Sequence, residues 1–330
     1  MEDALLVITI AIALVFDFTN GFHDTANAVA TSVSTRALTP RMAVLTAAVA
    51  NLAGAFVTTA VAKTVGSGII DTTLATNKTL LAAVLGAIVW NLITWWLGLP
   101  SSSSHALIGG LVGAMLAQTG SRGVRWNGIA HKVAIPALVA PVVAFLAAFS
   151  LLLAIYWVFR WLTPGVANRT FRLGQLASGT WVAFTHGAND AQKTMGVIAA
   201  AIAIHGGHPE RLDISTWIIA AAGLAIAAGT YVGGWRIMRT LGQRIYGMEP
   251  AGGFAAQTTA GATIYVATHL GYPLSTTHVI SGSVMGAGAT KRLSAVRWGV
   301  AGNIVVAWIL TIPAAALVAA AVYWPVQGIF

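Results

Sequence analysis

The sequence predicts an all-α polytopic membrane protein built from two inverted-topology repeats of about five membrane segments each. Three observations carry that expectation. Of 330 residues, 57% are hydrophobic and only 8% are charged, with a mean hydropathy of +0.78; a soluble domain carries about 25% charged residues. The chain divides into apolar stretches of spanning length. Finally, two polar motifs inside those stretches each occur twice, in the same order. N-G-F-H-D-T-A-N-A-V-A at 20–30 is matched by H-G-A-N-D-A-Q-K-T-M-G at 186–196, and G-L-P-S-S-S-S-H at 98–105 by G-Y-P-L-S-T-T-H at 271–278.

A spanning helix needs about 20 apolar residues. Segments of that kind fall at 4–35, 42–62, 79–98, 102–119 and 133–159, then at 173–204, 214–235, 253–270, 274–290 and 296–323. The first segment of each half is too long for one plain span and contains an Asp motif. Each is therefore expected to be a broken helix, with Gly21 and Gly187 letting it unwind and free its carbonyls. The segments at 102–119 and 274–290 are short, so re-entrant hairpins are the alternative to crossings. Five crossings per half is an odd number, which turns the second repeat upside down. The repeats divide as 1–165 and 166–330.

Charge and composition narrow the function class. The net charge of +9 comes from Lys and Arg lying between apolar runs, such as Arg36, Arg41 and Arg160. That distribution orients a membrane protein, with the N-terminus outside, and does not point to nucleic acid. Trp90, Trp95, Trp96, Trp157 and Trp161 sit toward segment ends as interfacial anchors. The first apolar stretch starts at Ala4 after Glu2 and Asp3 without a basic leader, so it reads as a span and not a cleaved signal. There are no cysteines, hence no disulfides or thiolate metal sites. No Walker loop, dinucleotide fingerprint or H-E-x-x-H is present, so an ion gradient is the expected energy source.

Aligned on the acid, Asp24 matches Asp190, Gly21 matches Gly187, His23 matches Asn189 and Asn27 matches Lys193. An Asp or Lys at a helix centre costs about 2.5–3.5 kcal/mol on insertion scales. Asp24, Asp190 and Lys193 should therefore face a polar cavity or each other. Asn20, Asn27 and Asn189 add amides close by. Carboxylate, amide and free carbonyl together suit a hard cation, and the same carboxylate can instead carry a proton. A capped structural kink is the plainer reading of one motif; duplication weighs against it.

In the second motif pair, Pro100 and Pro273 suit the first turn of a helix. The hydroxyls of Ser101, Ser102, Ser103 and Ser104, or of Ser275, Thr276 and Thr277, then lie beside free backbone N–H groups that attract an anion. Two such helix starts facing each other could surround a tetrahedral oxyanion. Ordinary N-capping is the alternative. His105 and His278 close the motifs at matching positions, as core histidines or proton-handling groups. Asn51, Asn91, Gln257 and Asn303 read first as interhelical hydrogen bonds.

These residues resemble the inorganic phosphate transporter (PiT) family. N-G-F-H-D-T-A-N-A-V-A-T at 20–31, F-T-H-G-A-N-D-A-Q-K at 184–193, L-P-S-S-S-S-H at 99–105 and P-L-S-T-T-H-V-I at 273–280 look like its paired signatures. The likeness covers essentially the whole chain. It is closest to the bacterial low-affinity carriers, with a short central loop around 160–172.

The resemblance implies phosphate symport, with Ser102, Ser103, Ser104, Ser275, Thr276 and Thr277 contacting phosphate. It places the coupling ion at Asp24, Asn27, Asn189 and Asp190, with Lys193 beside them. Asn20, His23, His105, His186, His278, Asn51 and Gln257 would support the site. Sodium-coupled relatives commonly carry Asn where this chain has Lys193, and glutamates at the positions of Asn51 and Gln257. A tethered ammonium could occupy the charge position of a sodium ion, which favours protons. Relatives of this type also carry phosphate as a neutral divalent-metal complex. The expected protein is a proton-coupled importer of inorganic phosphate in a bacterial plasma or inner membrane, in contact with lipid. It needs no cofactor, resident metal or nucleic acid, and a homo-oligomer is open. Sodium-coupled phosphate symport and sulfate–proton symport on the same scaffold are the alternatives. A Ser–His–Asp hydrolase is disfavoured by the matched motif sets, and a passive channel would ignore ion gradients.

Overall fold

A computed structural model of the chain describes residues 2–240, 245 and 247–330, and every regular element among them is helical apart from one isolated β-bridge. In chain order the main helices are α1 (Glu2–Ser34), α2 (Pro40–Gly54), α3 (Ala60–Ser67), α4 (Asn77–Leu97), α5 (Ser103–Thr119) and α6 (Trp126–Val158). They continue with α7 (Pro164–His205), α8 (Thr216–Val232), α9 (Pro250–His269), α10 (Thr276–Lys291) and α11 (Trp298–Ile329). Four of them, α1, α4, α6 and α11, are long and apolar enough to cross a membrane.

Three expectations need correction. The segment at 42–62 is two helices, α2 and α3, separated at 55–59. Asn303 is exposed at the start of α11 and joins no helices together. Most importantly, α1 and α7 are continuous helices through both Asp motifs, not broken ones. The motif glycines serve close crossing instead of unwinding. A Cβ on Gly21 would lie 2.3 Å from the Ile226 carbonyl oxygen of α8, and one on Gly187 2.1 Å from the Asn51 carbonyl oxygen of α2. Backbones that touch this closely are the usual device of membrane helix pairs. Gly187→Ala is therefore expected to force α2 and α7 apart, costing about 1–3 kcal/mol and lowering the thermal midpoint in detergent.

The packing is reciprocal. α2 lies on α7 while α8 lies on α1, and α6 lies on α10 while α11 lies on α5. α4 and α5 form a hairpin, as do α9 and α10. Each hairpin turns at a left-handed glycine, Gly98 (φ +67°) or Gly271 (φ +72°), where a side chain would be strained. Both turns close the same way. Leu99 N–H donates to the Thr94 carbonyl and Tyr272 N–H to that of Ala267, each at 2.9 Å. The outward faces of α6 and α11 carry Leu138, Val142, Leu146, Ile309 and Leu317, all exposed. In a membrane chain such faces meet lipid. The hairpin turns are buried against the middle of α1 and α7, which is what assembles the site.

Candidate functional site

The two hairpin turns and the two Asp motifs converge. Ser102 and Ser275 are the N-caps of α5 and α10, and their hydroxyls accept the N–H of His105 at 3.1 Å and of His278 at 3.2 Å. Pro100 and Pro273 therefore stand two residues outside the caps, in the turns, and not in the first helical turn as expected. Each proline is the central residue of a tight three-residue turn between the left-handed glycine and the cap: Ser101 N–H donates to the Leu99 carbonyl and Leu274 N–H to that of Tyr272, both at 2.8 Å. Ser103 and Ser104, in the first turn of α5, point to opposite halves. The Ser103 hydroxyl lies 2.6 Å from Asn20 Oδ1 and 2.8 Å from Asp24 Oδ2. Ser104 donates to the Leu274 carbonyl at 3.0 Å and accepts from the Lys193 ammonium.

Lys193 is almost fully buried. Its Nζ is held by Asp190 Oδ1 at 2.5 Å, by the Leu274 carbonyl at 3.0 Å and by Ser104. Carboxylate, carbonyl and hydroxyl thus satisfy all three ammonium donors. Asp24 has a different set of partners. His23 Nδ1 lies 2.6 Å from its Oδ1, and His23 Nε2 lies 3.1 Å from the Thr94 hydroxyl. His186 bridges the two acids, with Nε2 3.4 Å from Asp190 and 3.9 Å from Asp24. Its Nδ1 faces Asn51 Oδ1 at 3.0 Å, and Asn51 in turn donates to Thr230 at 2.8 Å.

The contacts continue through the amides. Asn27 Nδ2 donates to Thr277 at 2.9 Å, and Asn189 Nδ2 to Thr268 at 2.8 Å and to the Tyr272 carbonyl at 3.1 Å. His105 and His278 pack edge to face with centroids 4.7 Å apart, and His278 stacks on Trp308 at 3.9 Å. Gln257 does not reach the acids. It lies between Ser32 and Ser178, bonded at 2.7 and 2.9 Å, and ties α9 to the C-terminal end of α1 and to α7. Asn51 acts through His186, while both polar side-chain atoms of buried Asn91 find no partner.

Several polar atoms turned into this region are buried without a hydrogen-bond partner among the described residues: Asn27 Oδ1, Asn189 Oδ1, Thr276 Oγ1, and Asp190 Oδ2 and His186 Nε2, which lie 3.4 Å apart. Buried polar atoms are normally paired, so such a concentration marks a place for a ligand. Asp24, His186 and Asp190 each offer one atom, all within 4.8 Å of one another. That set would suit a cation. The hydroxyls and helix starts would suit an anion.

One buried acid lies outside the motifs. Asp17 is fully buried on α1, seven residues before Asp24 and so on the same helix face. Its place in apolar sequence, at helical spacing from Asn20 and Asp24, is the signal that could have found it. Sequence reasoning also misses the Thr94, Thr230 and Thr268 hydroxyls and the Leu274 carbonyl, because nothing in their local sequence sets them apart.

The sequence model of a phosphate transporter family matches residues 20–319. This chain belongs to the phosphate transporter family. A relative from Mycobacterium bovis, named "Probable low-affinity inorganic phosphate transporter", is 50% identical over 97% of this chain and 77% of its own length. One of the same name from Bacillus subtilis is 43% identical over 99% of this chain and all of its own length. A solved structure described as "The sodium-dependent phosphate transporter" superposes with a TM-score of 0.91 at 26% identity, covering 99% of this chain and 100% of that one. The family consists of membrane transport proteins and not enzymes. This transporter is accordingly a multi-pass membrane protein, and the all-helical fold read from the sequence stands.

Proposed function

We propose that the chain is a proton-coupled symporter that imports inorganic phosphate. The observation that carries the coupling ion is the Lys193 ammonium, held by Asp190, Ser104 and the Leu274 carbonyl. Carboxylate, hydroxyl and carbonyl are the ligand types of a hard cation. A resident ammonium in that set leaves no charge deficit for a sodium ion to fill at Asp190.

Phosphate sits between the two helix starts, against Ser103 and Ser104 on one side and Thr276 and Thr277 on the other. The N–H ends and hydroxyls supply donors without a new fixed charge. Asp24 supplies an acceptor, and this separates phosphate from sulfate. Phosphate near neutral pH keeps an O–H to donate, whereas sulfate would set oxygen against carboxylate. The reciprocal packing of α1, α2 and α4–α6 with α7–α11 supports two inverted repeats, 1–165 and 166–330. The α4–α5 and α9–α10 hairpins then re-enter from opposite sides, and rocking of the repeats exposes the site alternately.

Purified protein in phosphate-loaded and phosphate-free proteoliposomes tests this. An imposed inward pH gradient is expected to drive accumulation of labelled phosphate in sodium-free buffer, with little competition from sulfate. Uptake driven by a sodium gradient alone would remove the proton reading and move the coupling ion to the Asp24, His186 and Asp190 set, the reading that the sodium-dependent structural neighbour also favours.

A further inference from the structure

We propose that Asp17 is a proton-binding group of the transport cycle, distinct from the Asp24 and Asp190 pair and connected to the phosphate-contacting Ser103 by the Asn20 amide. The proposal rests on the proton reading of the coupling ion.

Asp17 is fully buried, and among the described residues neither carboxylate oxygen has a hydrogen-bond partner. Around it, Thr194 Oγ1 and Asn20 Nδ2 are likewise buried and unpartnered. A bare carboxylate in such surroundings is one of the most expensive groups a membrane protein can hold. It is retained cheaply only when it takes up a cation. Asp17 also breaks the repeat. Its counterpart, seven residues before Asp190, is Ala183. Under this proposal, two of the departures from the duplicated pattern, an extra acid at 17 and an extra base at 193, belong to one functional asymmetry.

The nearby groups define its electrostatics. From α7 come Thr194, Asp190 and Lys193, and from α1 itself Asn20. His23 and Asp24 lie further along α1. α8 brings only Tyr231, which is exposed, and α4 only Lys78, in its first turn. α2 brings only Arg41, also in its first turn and exposed. His105 of α5 and His278 of α10 face each other beyond the hairpin turns. Among the described residues no cation has a contact with Asp17, so under the proton reading of the coupling ion its ligand is a proton.

Ser103 shows how that proton would be read. Its hydroxyl has one hydrogen but two acceptors in reach, Asn20 Oδ1 at 2.6 Å and Asp24 Oδ2 at 2.8 Å. The orientation of the Asn20 amide decides between them, and amide orientation is set by its neighbours. With Asp17 ionised, Asn20 Nδ2 turns to the carboxylate and Oδ1 takes the Ser103 hydrogen. A proton from the aqueous phase forms an O–H bond on Asp17, and no other bond changes. That O–H then donates to Asn20 Oδ1 with the amide turned over. Nδ2 donates to Ser103 Oγ, and the Ser103 hydroxyl, keeping its hydrogen, donates to Asp24 Oδ2. Proton uptake at Asp17 thus changes which way a phosphate-contacting hydroxyl donates, without Asp17 touching phosphate.

Asp17→Asn in proteoliposomes separates the possibilities. Phosphate–phosphate exchange at equal pH needs no net proton movement and is expected to stay close to wild type, which also shows that the variant folds. Accumulation driven by a pH gradient is expected to be lost. Full gradient-driven accumulation by Asp17→Asn would overturn the proposal. If wild type itself ignores the pH gradient, the proton reading fails instead, and the two failures are distinguished in one experiment. If Asp17→Asn does not fold, infrared difference spectra of wild type with isotope-labelled aspartate decide. A buried neutral-carboxyl band that appears and vanishes with pH in the sodium-free protein, and persists in Asp24→Asn, supports Asp17; no such band overturns it.

Discussion

Asp190→Asn is expected to abolish phosphate accumulation and to destabilise the protein by about 3–5 kcal/mol, because it strands a buried ammonium. Lys193 Nζ would keep Ser104 and the Leu274 carbonyl but lose Asp190, its one salt-bridge partner among the described residues. The pair is almost completely buried, so water cannot replace the lost partner. A second substitution gives the decisive comparison. Lys193→Met in the Asp190→Asn background removes the stranded charge and is expected to recover most of the thermal midpoint while uptake stays absent. Lys193→Met alone leaves Asp190 buried beside His186 without its ammonium partner, and is expected to be destabilising as well. The double-mutant cycle should therefore give a large coupling energy in stability. If the singles simply add, Lys193 is not the built-in cation of the site and the argument for protons over sodium loses its footing.

How much of this is legible in the sequence follows from what duplication can and cannot reveal. The fold class and the expectation of one site built from both motif pairs follow from polar residues repeated inside apolar runs, whereas the individual meetings of Ser103 with Asp24, Ser104 with Lys193 and Thr277 with Asn27 come only from the structure. Such residues have few affordable places in a membrane. The glycines mislead. A glycine beside a buried acid suggests an unwound helix, yet Gly21 and Gly187 are small because α8 and α2 cross there in backbone contact. Sequence does not distinguish a glycine needed for its torsion from one needed for its size. Family likeness groups Gln257 with the site, and it instead joins Ser32 to Ser178. Asp17 escapes notice for the opposite reason: it has no repeat partner, and a pattern of matched pairs hides an unmatched residue.

Asp24→Asn is expected to behave differently from Asp190→Asn although the two acids are repeat equivalents. Uptake should fall about 100-fold, as loss of a charged hydrogen-bonding group costs about 1.5–3 kcal/mol. Stability should change little. Asp24 holds no ammonium; its close partners are His23 Nδ1 at 2.6 Å and the Ser103 hydroxyl at 2.8 Å. The amide introduced by Asp24→Asn can accept from Ser103 through its carbonyl while its NH2 faces His23. The His23 tautomer with its hydrogen on Nε2 then donates to the Thr94 hydroxyl at 3.1 Å and accepts the amide N–H at Nδ1. Every donor regains an acceptor without a backbone shift, whereas Lys193 beside the amide introduced by Asp190→Asn has no equivalent adjustment. Thermal unfolding and phosphate accumulation measured on both variants should therefore diverge: a near-native midpoint with weak uptake for Asp24→Asn, loss of both for Asp190→Asn. Equal destabilisation by the two substitutions would mean that the acids share one electrostatic role, and that the asymmetry between Asn27 and Lys193 carries no consequence for coupling.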